Sequence, residues 1–140
     1  MLYLDTSLIV SFISNEALTP IVQRWLQDQF DELAISHWTI TELSSAMSIK
    51  LRRGEINADL RDEALGKFDE FRIVNLTLLP VKSAHFGAAA SFADRHDLGV
   101  RANDALHLAI AADRGATVCT LDRRLAAAGP ALGVPTKLLL

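Results

Sequence analysis

Of the seventeen carboxylates in this 140-residue chain, four stand apart by their surroundings. Asp5 ends the apolar run Leu2-Tyr3-Leu4, and Asp122 follows the apolar run 116–121. Glu42 is set between Thr41 and Leu43, and Asp104 opens an almost wholly apolar segment. Others, such as Asp28, Asp31, Glu63 and Asp69, lie among polar neighbours and read as solvated helix faces and ends. Each of the four has a structural reading. Asp5 and Asp122 fall between a strand and a helix, where aspartate is a favoured N-cap. Glu42, three residues after Thr39, fits a capping box, and Asp104 lies in a first helical turn, where the macrodipole favours an anion. Together they also support a chemical reading. Two ionised carboxylates about 4 Å apart repel by about 4 kcal/mol at an effective dielectric of 20. A cluster of them therefore raises its pKa values or takes up a cation. Hard oxygen donors with no His or Cys partner suit Mg2+ or Mn2+.

The elements that must position these acids alternate in type. Leu2-Tyr3-Leu4 reads as a buried strand, and Thr19-Pro20 as an N-cap with proline at the first helical position. Ile21, Val22, Trp25, Leu26 and Phe30 then mark one helical face. Leu33 to Ser36 is a second strand, followed by a helix headed by Thr39 and Glu42 that runs to Arg52-Arg53 and stops near Gly54. Asn57 caps a helix with Leu60, Ala64, Phe68 and Phe71 at helical spacing, and 73–79 is β-prone. Pro80 starts an alanine-rich helix that ends near Gly99, a left-handed cap. The segment 102–114 is apolar nearly all round, which predicts a central, buried helix. A strand over 116–121, a short helix over 123–128 ending at Gly129 and a strand over 136–140 complete the chain.

Continuous apolar strands alternating with helices predict an α/β fold with a parallel sheet covered on both faces. In such a sheet every strand-to-helix turn lies on one edge, at the carboxyl ends of the strands. Asp5 and Asp122 belong to that edge, Glu42 lies about one helical turn beyond it, and Asp104 at the head of the buried helix completes the set. This is the edge where α/β folds bind ligands.

Composition bounds the alternatives. With 50% hydrophobic residues, 22% charged residues and a net charge of −3, the chain is neither disordered nor globally attractive to nucleic acid. One domain spanning 1–140 is expected from the length and from the absence of repeats or linkers. The single cysteine, Cys119, cannot form an internal disulfide and reads as an inert buried thiol. No stretch reaches the roughly 20 apolar residues of a membrane span, and the N-terminus lacks the basic region of a signal peptide. A cytoplasmic protein is the expectation. The fingerprints of dinucleotide, P-loop and serine-hydrolase sites are absent. An aspartyl-phosphate enzyme of the haloacid-dehalogenase type would need a second aspartate two residues after Asp5, where Ser7 stands.

Four segments carry a resemblance: Leu-Tyr-Leu-Asp-Thr-Ser (2–7), Thr-Glu-Leu (41–43), Arg-Ala-Asn-Asp-Ala-Leu-His-Leu-Ala (101–109) and Thr-Leu-Asp-Arg-Arg-Leu (120–125). In order and spacing the chain resembles the PIN domain, and by size the VapC-type ribonuclease toxins of toxin–antitoxin pairs. The resemblance implies a parallel five-stranded sheet sandwiched between helices. It implies that Asp5, Glu42, Asp104 and Asp122 bind Mg2+ or Mn2+ and cleave RNA, with Glu42 either a ligand or an orienter of the attacking water. It further implies a cognate antitoxin that covers the acidic cleft with a basic side chain, and a homodimer formed through helices carrying Leu60, Phe68 and Phe71. A PIN fold kept only as a catalytically silent RNA- or protein-binding module is the competing reading.

Near the acids, Arg101 and Arg123 are the favoured RNA contacts, ahead of Lys50, Arg52 and Arg53, which also complement a helix C-terminus. Thr6, Ser7 and Thr120 read first as helix-cap hydroxyls and second as supports for the carboxylates. His107, three residues after Asp104, is expected to be a hydrogen-bonded core histidine rather than a metal ligand.

Overall fold

The computed structural model describes residues 1–139. Its first half contains β1 (Leu2–Leu4), α1 (Thr6–Ile13), α2 (Thr19–Gln27), β2 (Leu33–Ser36), α3 (His37–Arg52), α4 (Ala58–Asn75) and β3 (Leu76–Leu79). The second half contains α5 (Ser83–Ala93), a 3-10 turn at His96–Leu98, α6 (Ala102–Asp113), β4 (Thr117–Thr120), α7 (Arg123–Ala131) and β5 (Thr136–Leu138). The strands form one parallel sheet in the order β3-β2-β1-β4-β5, the α/β sandwich expected from the alternation. Helices cover both faces. Leu4, Ile9, Phe12 and Met47 belong to the core on one side, and Tyr3, Leu108, Ile110 and Val118 to that on the other. Neighbouring residues of β1 thus point to opposite cores, as the two-residue period of a strand requires.

The strand order places the switch point of the sheet at β1. From there the chain builds outward to β2 and β3, then crosses over to β4 and β5. Ligands of open α/β sheets bind at the carboxyl side of such a point. Registers Leu4↔Cys119 and Ser36↔Leu79 align the strand ends there.

Several local expectations change. Thr19 is not the cap of α2: Leu18 holds that position, and the Thr19 hydroxyl instead donates to the Ser11 carbonyl (2.6 Å) and accepts from Glu16 N–H (2.7 Å). The helix ends at Gln27, leaving Phe30 beyond it and fully exposed. Residues 73–75 continue α4, because Asn75 folds its amide back onto the Phe71 carbonyl, and the strand begins only at Leu76. The alanine-rich helix starts at Ser83 rather than Pro80 and ends at Ala93, with Gly99 left-handed (φ 62°) after the 3-10 turn. Gly129 does not stop α7. A Cβ there would lie 2.2 Å from Thr136 Cγ2 and 2.9 Å from the Val134 carbonyl, so glycine is required for the close approach of α7 to β5. The strand expected over 136–140 is β5 at Thr136–Leu138, and Leu140 lies outside the described residues. Phe68 is buried and Phe71 packs on Phe12 with ring centroids 4.5 Å apart, so of the three residues expected at a dimer surface Leu60 alone is exposed. Among the described residues, no helix is long and apolar enough to cross a membrane.

Candidate active site at the carboxyl edge

Asp5, Glu42, Asp104 and Asp122 all line one open cleft of about 530 Å³. Asp5 caps α1, accepting from Leu8 N–H at 3.2 Å, and Asp122 caps α7, accepting from the N–H groups of Arg124 (2.7 Å) and Leu125 (3.1 Å). For these two the capping and cleft readings both hold. Asp104 is in the first turn of α6. Glu42 is different. The capping box of α3 is made by Ser36 and Thr39, so Glu42, expected to close that box, is free of the cap.

Instead of residing at caps, the neighbouring hydroxyls hold the carboxylates. Ser7 donates to Asp5 Oδ1 (2.7 Å), Thr120 to Asp5 Oδ2 (2.5 Å) and Thr6 to Glu42 Oε2 (2.5 Å). Leu121 N–H donates to Ser7 (3.0 Å) and Asp122 N–H to Thr120 (2.8 Å), which joins the β1–α1 turn to the β4–α7 turn. Parallel register explains this, since Asp5 N–H bonds to the Cys119 carbonyl and sets Thr120 beside Asp5. Hydroxyls thus serve as fixed supports for groups that must keep one orientation.

His107 is buried, as expected, with Nδ1 2.7 Å from the Tyr3 hydroxyl and Nε2 2.5 Å from Glu42 Oε2. Sequence reasoning missed Tyr3 and also Asn103, which lines the cleft beside Glu42. The Asn103-Asp104 pair at a helix head was the available signal; for Tyr3 there was none.

Charge is unbalanced in this cleft. Burial raises the pKa of Asp5 despite its hydroxyl donors. Burial and the repulsion of Asp122, with smaller contributions from Asp5 and Glu42, push Asp104 up to about 6. Burial also acts to raise Glu42, but the His107 and Thr6 hydrogen bonds outweigh it and hold the carboxyl below its usual range. Such mutual repulsion is what a divalent cation relieves, and the oxygen-only carboxylate set suits a hard ion. Among the described residues no three His, Cys, Asp or Glu side chains are arranged to hold an ion as they stand. Asp5 is bonded to hydroxyls, Glu42 to a hydroxyl and His107, and Asp122 to backbone amides. The donor chemistry of these four acids, carboxylates with no thiolate among them, fits a hard divalent ion.

The cations expected to contact RNA divide. Arg101 and Arg123 are exposed, form no ion pair among the described residues, and flank Asp104 and Asp122 in sequence without lining the cleft. Lys50 is engaged by Glu16 (2.5 Å) and Glu55 (3.5 Å) at the far end of α3. Trp25 and Trp38 are half-buried, and burial pushes the Cys119 thiol up to about 12, the inert state expected.

A parallel sheet with this strand order, and acids at its carboxyl edge, is the frame of the PIN domain. The chain belongs to that family, whose model matches residues 2–129. Among solved structures it is similar to FitAcB from Neisseria gonorrhoeae, with a TM-score of 0.75 at 21% identity over 97% of this chain and 96% of that one. It is similar to VapC20 from Mycobacterium tuberculosis, a sarcin-ricin loop cleaving toxin, with a TM-score of 0.72 at 18% identity over 92% and 95% of the two chains. A third likeness is to VapBC2 from Rickettsia felis, in a structure bound to a DNA fragment from its promoter (TM-score 0.69, 17% identity, 99% and 98% covered). At these identities the likeness is one of fold. No curated protein sequence matches the chain.

Proposed function

We propose that this chain is a metal-dependent endoribonuclease, the toxin of a VapBC-type toxin–antitoxin pair, acting as a single domain in the cytoplasm. One observation carries the reading: four acids from four separate elements line one cleft at the switch point of the sheet. Asp5, Asp104 and Asp122 hold Mg2+ or Mn2+, and Glu42 is a further ligand or the residue that orients the attacking water. When bound, the ion supplies an activated water and charge stabilisation at the phosphodiester. Ser7 and Thr120 keep both Asp5 oxygens oriented, and Thr6 and His107 do the same for Glu42. Arg101 and Arg123 contact the RNA backbone on either side of the acids, which brings a polyanion to a cleft that would otherwise repel it.

The uncompensated acidic cleft also suits a basic side chain from a partner, and an antitoxin is the proposed source. The structures similar to this one include a toxin–antitoxin complex from Klebsiella pneumoniae. Homodimerisation belongs to the same proposal, with Ile73 and Val74, exposed at the end of α4, as apolar surface to be covered.

Cleavage of total cellular RNA in Mn2+, run beside an identically purified Asp5→Asn variant, tests the activity. Discrete fragments that vanish with chelator and in the variant are expected. Equal cleavage by both proteins, or no cleavage by either across RNA classes, contradicts the proposal, and the second result favours the silent binding module.

A further inference from the structure

Behind the cleft lies a buried polar chain that the proposed chemistry does not itself require. The Tyr3 hydroxyl is 2.7 Å from Ser36 Oγ, 3.3 Å from Thr39 Oγ1 and 2.7 Å from His107 Nδ1, and the His107 ring continues to Glu42. Tyr3 and Ser36 are fully buried and His107 is 2% exposed. Polar groups this deep are costly unless each is paired.

Donors and acceptors assign the protons. An ionised Glu42 Oε2 only accepts, so His107 Nε2 donates to it. In a neutral ring Nδ1 then accepts, and the Tyr3 hydroxyl is its donor. Tyr3 in turn accepts from Ser36. Burial raises the Tyr3 pKa, so the phenol keeps the proton this requires. Ser36→Tyr3→His107→Glu42 is therefore a one-way relay in which each hydroxyl and ring donor is used once.

Its placement is informative. Tyr3 lies two residues before Asp5, Ser36 caps the helix that carries Glu42, and His107 lies one turn after Asp104 on α6. The chain thus ties together the elements that carry three of the four acids. Its one end outside the core is Glu42, whose side chain is 16% exposed at the cleft. The Thr6 and His107 bonds both land on Oε2, which fixes a three-torsion side chain and leaves Oε1 outside these two bonds.

We propose that Tyr3 and His107 are positioning residues that hold the Glu42 carboxylate in place for divalent-ion binding. This rests on the metal-dependent reading of the cleft. A purely structural pair would affect folding and leave ion affinity alone.

The test is calorimetric titration of Mn2+ into the full chain and its variants, with melting of the ion-free proteins as the fold control. His107→Leu keeps bulk but loses the donor, and Mn2+ affinity should fall about tenfold or more, the usual cost of removing such a support. His107→Gln keeps an amide donor and should stay within about threefold of the parent. Tyr3→Phe, which removes one oxygen and leaves the ring in place, should fall between them and carries the comparison if His107→Leu does not fold. In a Glu42→Gln background His107→Leu should have no further effect on affinity, since the pair acts through that carboxylate. Nitrogen-15 spectra of the ion-free protein should place the ring proton of His107 on Nε2. Unchanged Mn2+ affinity in both His107→Leu and Tyr3→Phe, with the parent binding normally, overturns this inference alone. Failure of the parent to bind Mn2+ overturns the metal-dependent reading and this inference with it.

Discussion

Two buried histidines in this molecule make the same bonds for different ends. His85 is 4% exposed and His107 is 2% exposed. His85 Nδ1 accepts from the Lys82 backbone N–H (3.0 Å), and its Nε2 faces Asp113 Oδ2 at 3.1 Å. His107 likewise presents Nδ1 to a donor and Nε2 to a carboxylate. The difference lies in what surrounds the carboxylate. Asp113 is exposed and shares its oxygen with Lys82 Nζ at 2.8 Å, so its charge is matched. Among the described residues Glu42 has no lysine or arginine partner, and it shares its cleft with four more carboxylates, of which Glu16 alone is paired, with Lys50. A histidine–carboxylate pair is therefore no sign of function by itself. Unmatched charge next to it is.

The largest test of this contrast is activity. Glu42→Gln should lower RNA cleavage by about 100-fold or more, the range typical of removing a group that acts on developing charge. Asp113→Asn should leave cleavage unchanged. Equal losses in both variants would dissolve the distinction.

Stability sharpens it next. His85→Leu strips the Lys82 N–H and Asp113 of their partner, and should cost about 1–3 kcal/mol in a urea melt while leaving cleavage intact. The pH dependence of Asp104, in the cleft beside Glu42, and that of Asp113 then have opposite sign. Asp104 titrates near 6, above its ordinary range, so its protonated form favours the fold. That stability is complete below about pH 4 and is lost as pH rises through 6. Solvent screening of this half-exposed group limits the loss to about 1–2 kcal/mol. Lys82 and His85 hold Asp113 low, so its contribution is present at neutral pH and lost on acidification. The ion-free Asp104→Asn variant should therefore be more stable than the parent at pH 7 and equal to it near pH 4. An Asp104→Asn variant no more stable than the parent at pH 7 would contradict the crowded-cleft account.

The smallest effect belongs to the flanking cations. Arg101→Ala and Arg123→Ala should each raise KM for RNA a few-fold, leave kcat in place and reduce the slope of affinity against salt by roughly one. An unchanged salt slope would remove these residues from the RNA path.

How much of this was legible in the sequence differs by scale. The α/β alternation depends on local pattern and is found as read, and the four acids singled out by their local surroundings line one cleft. Caps and helix ends were less legible because tertiary contacts decide them. Thr19 turns away from its helix to bond Ser11, and Gly129 exists for the approach of α7 to β5. Ser36 rather than Glu42 completes the capping box, since both residue pairs fit the same spacing. The supports of the carboxylates were hidden for a related reason. Thr120 meets Asp5 across 115 residues through strand register, and Tyr3 meets His107 across 104 through the packing of α6 on the sheet, neither of which local spacing reveals.

The most direct test of the central claim is an anomalous difference map from crystals of the protein soaked in Mn2+. The account predicts a peak in the cleft within bonding distance of the Asp5, Asp104 and Asp122 carboxylates, with Glu42 still held by His107 and Thr6. A saturated soak that leaves the cleft empty, or that places the ion away from these acids, would contradict it.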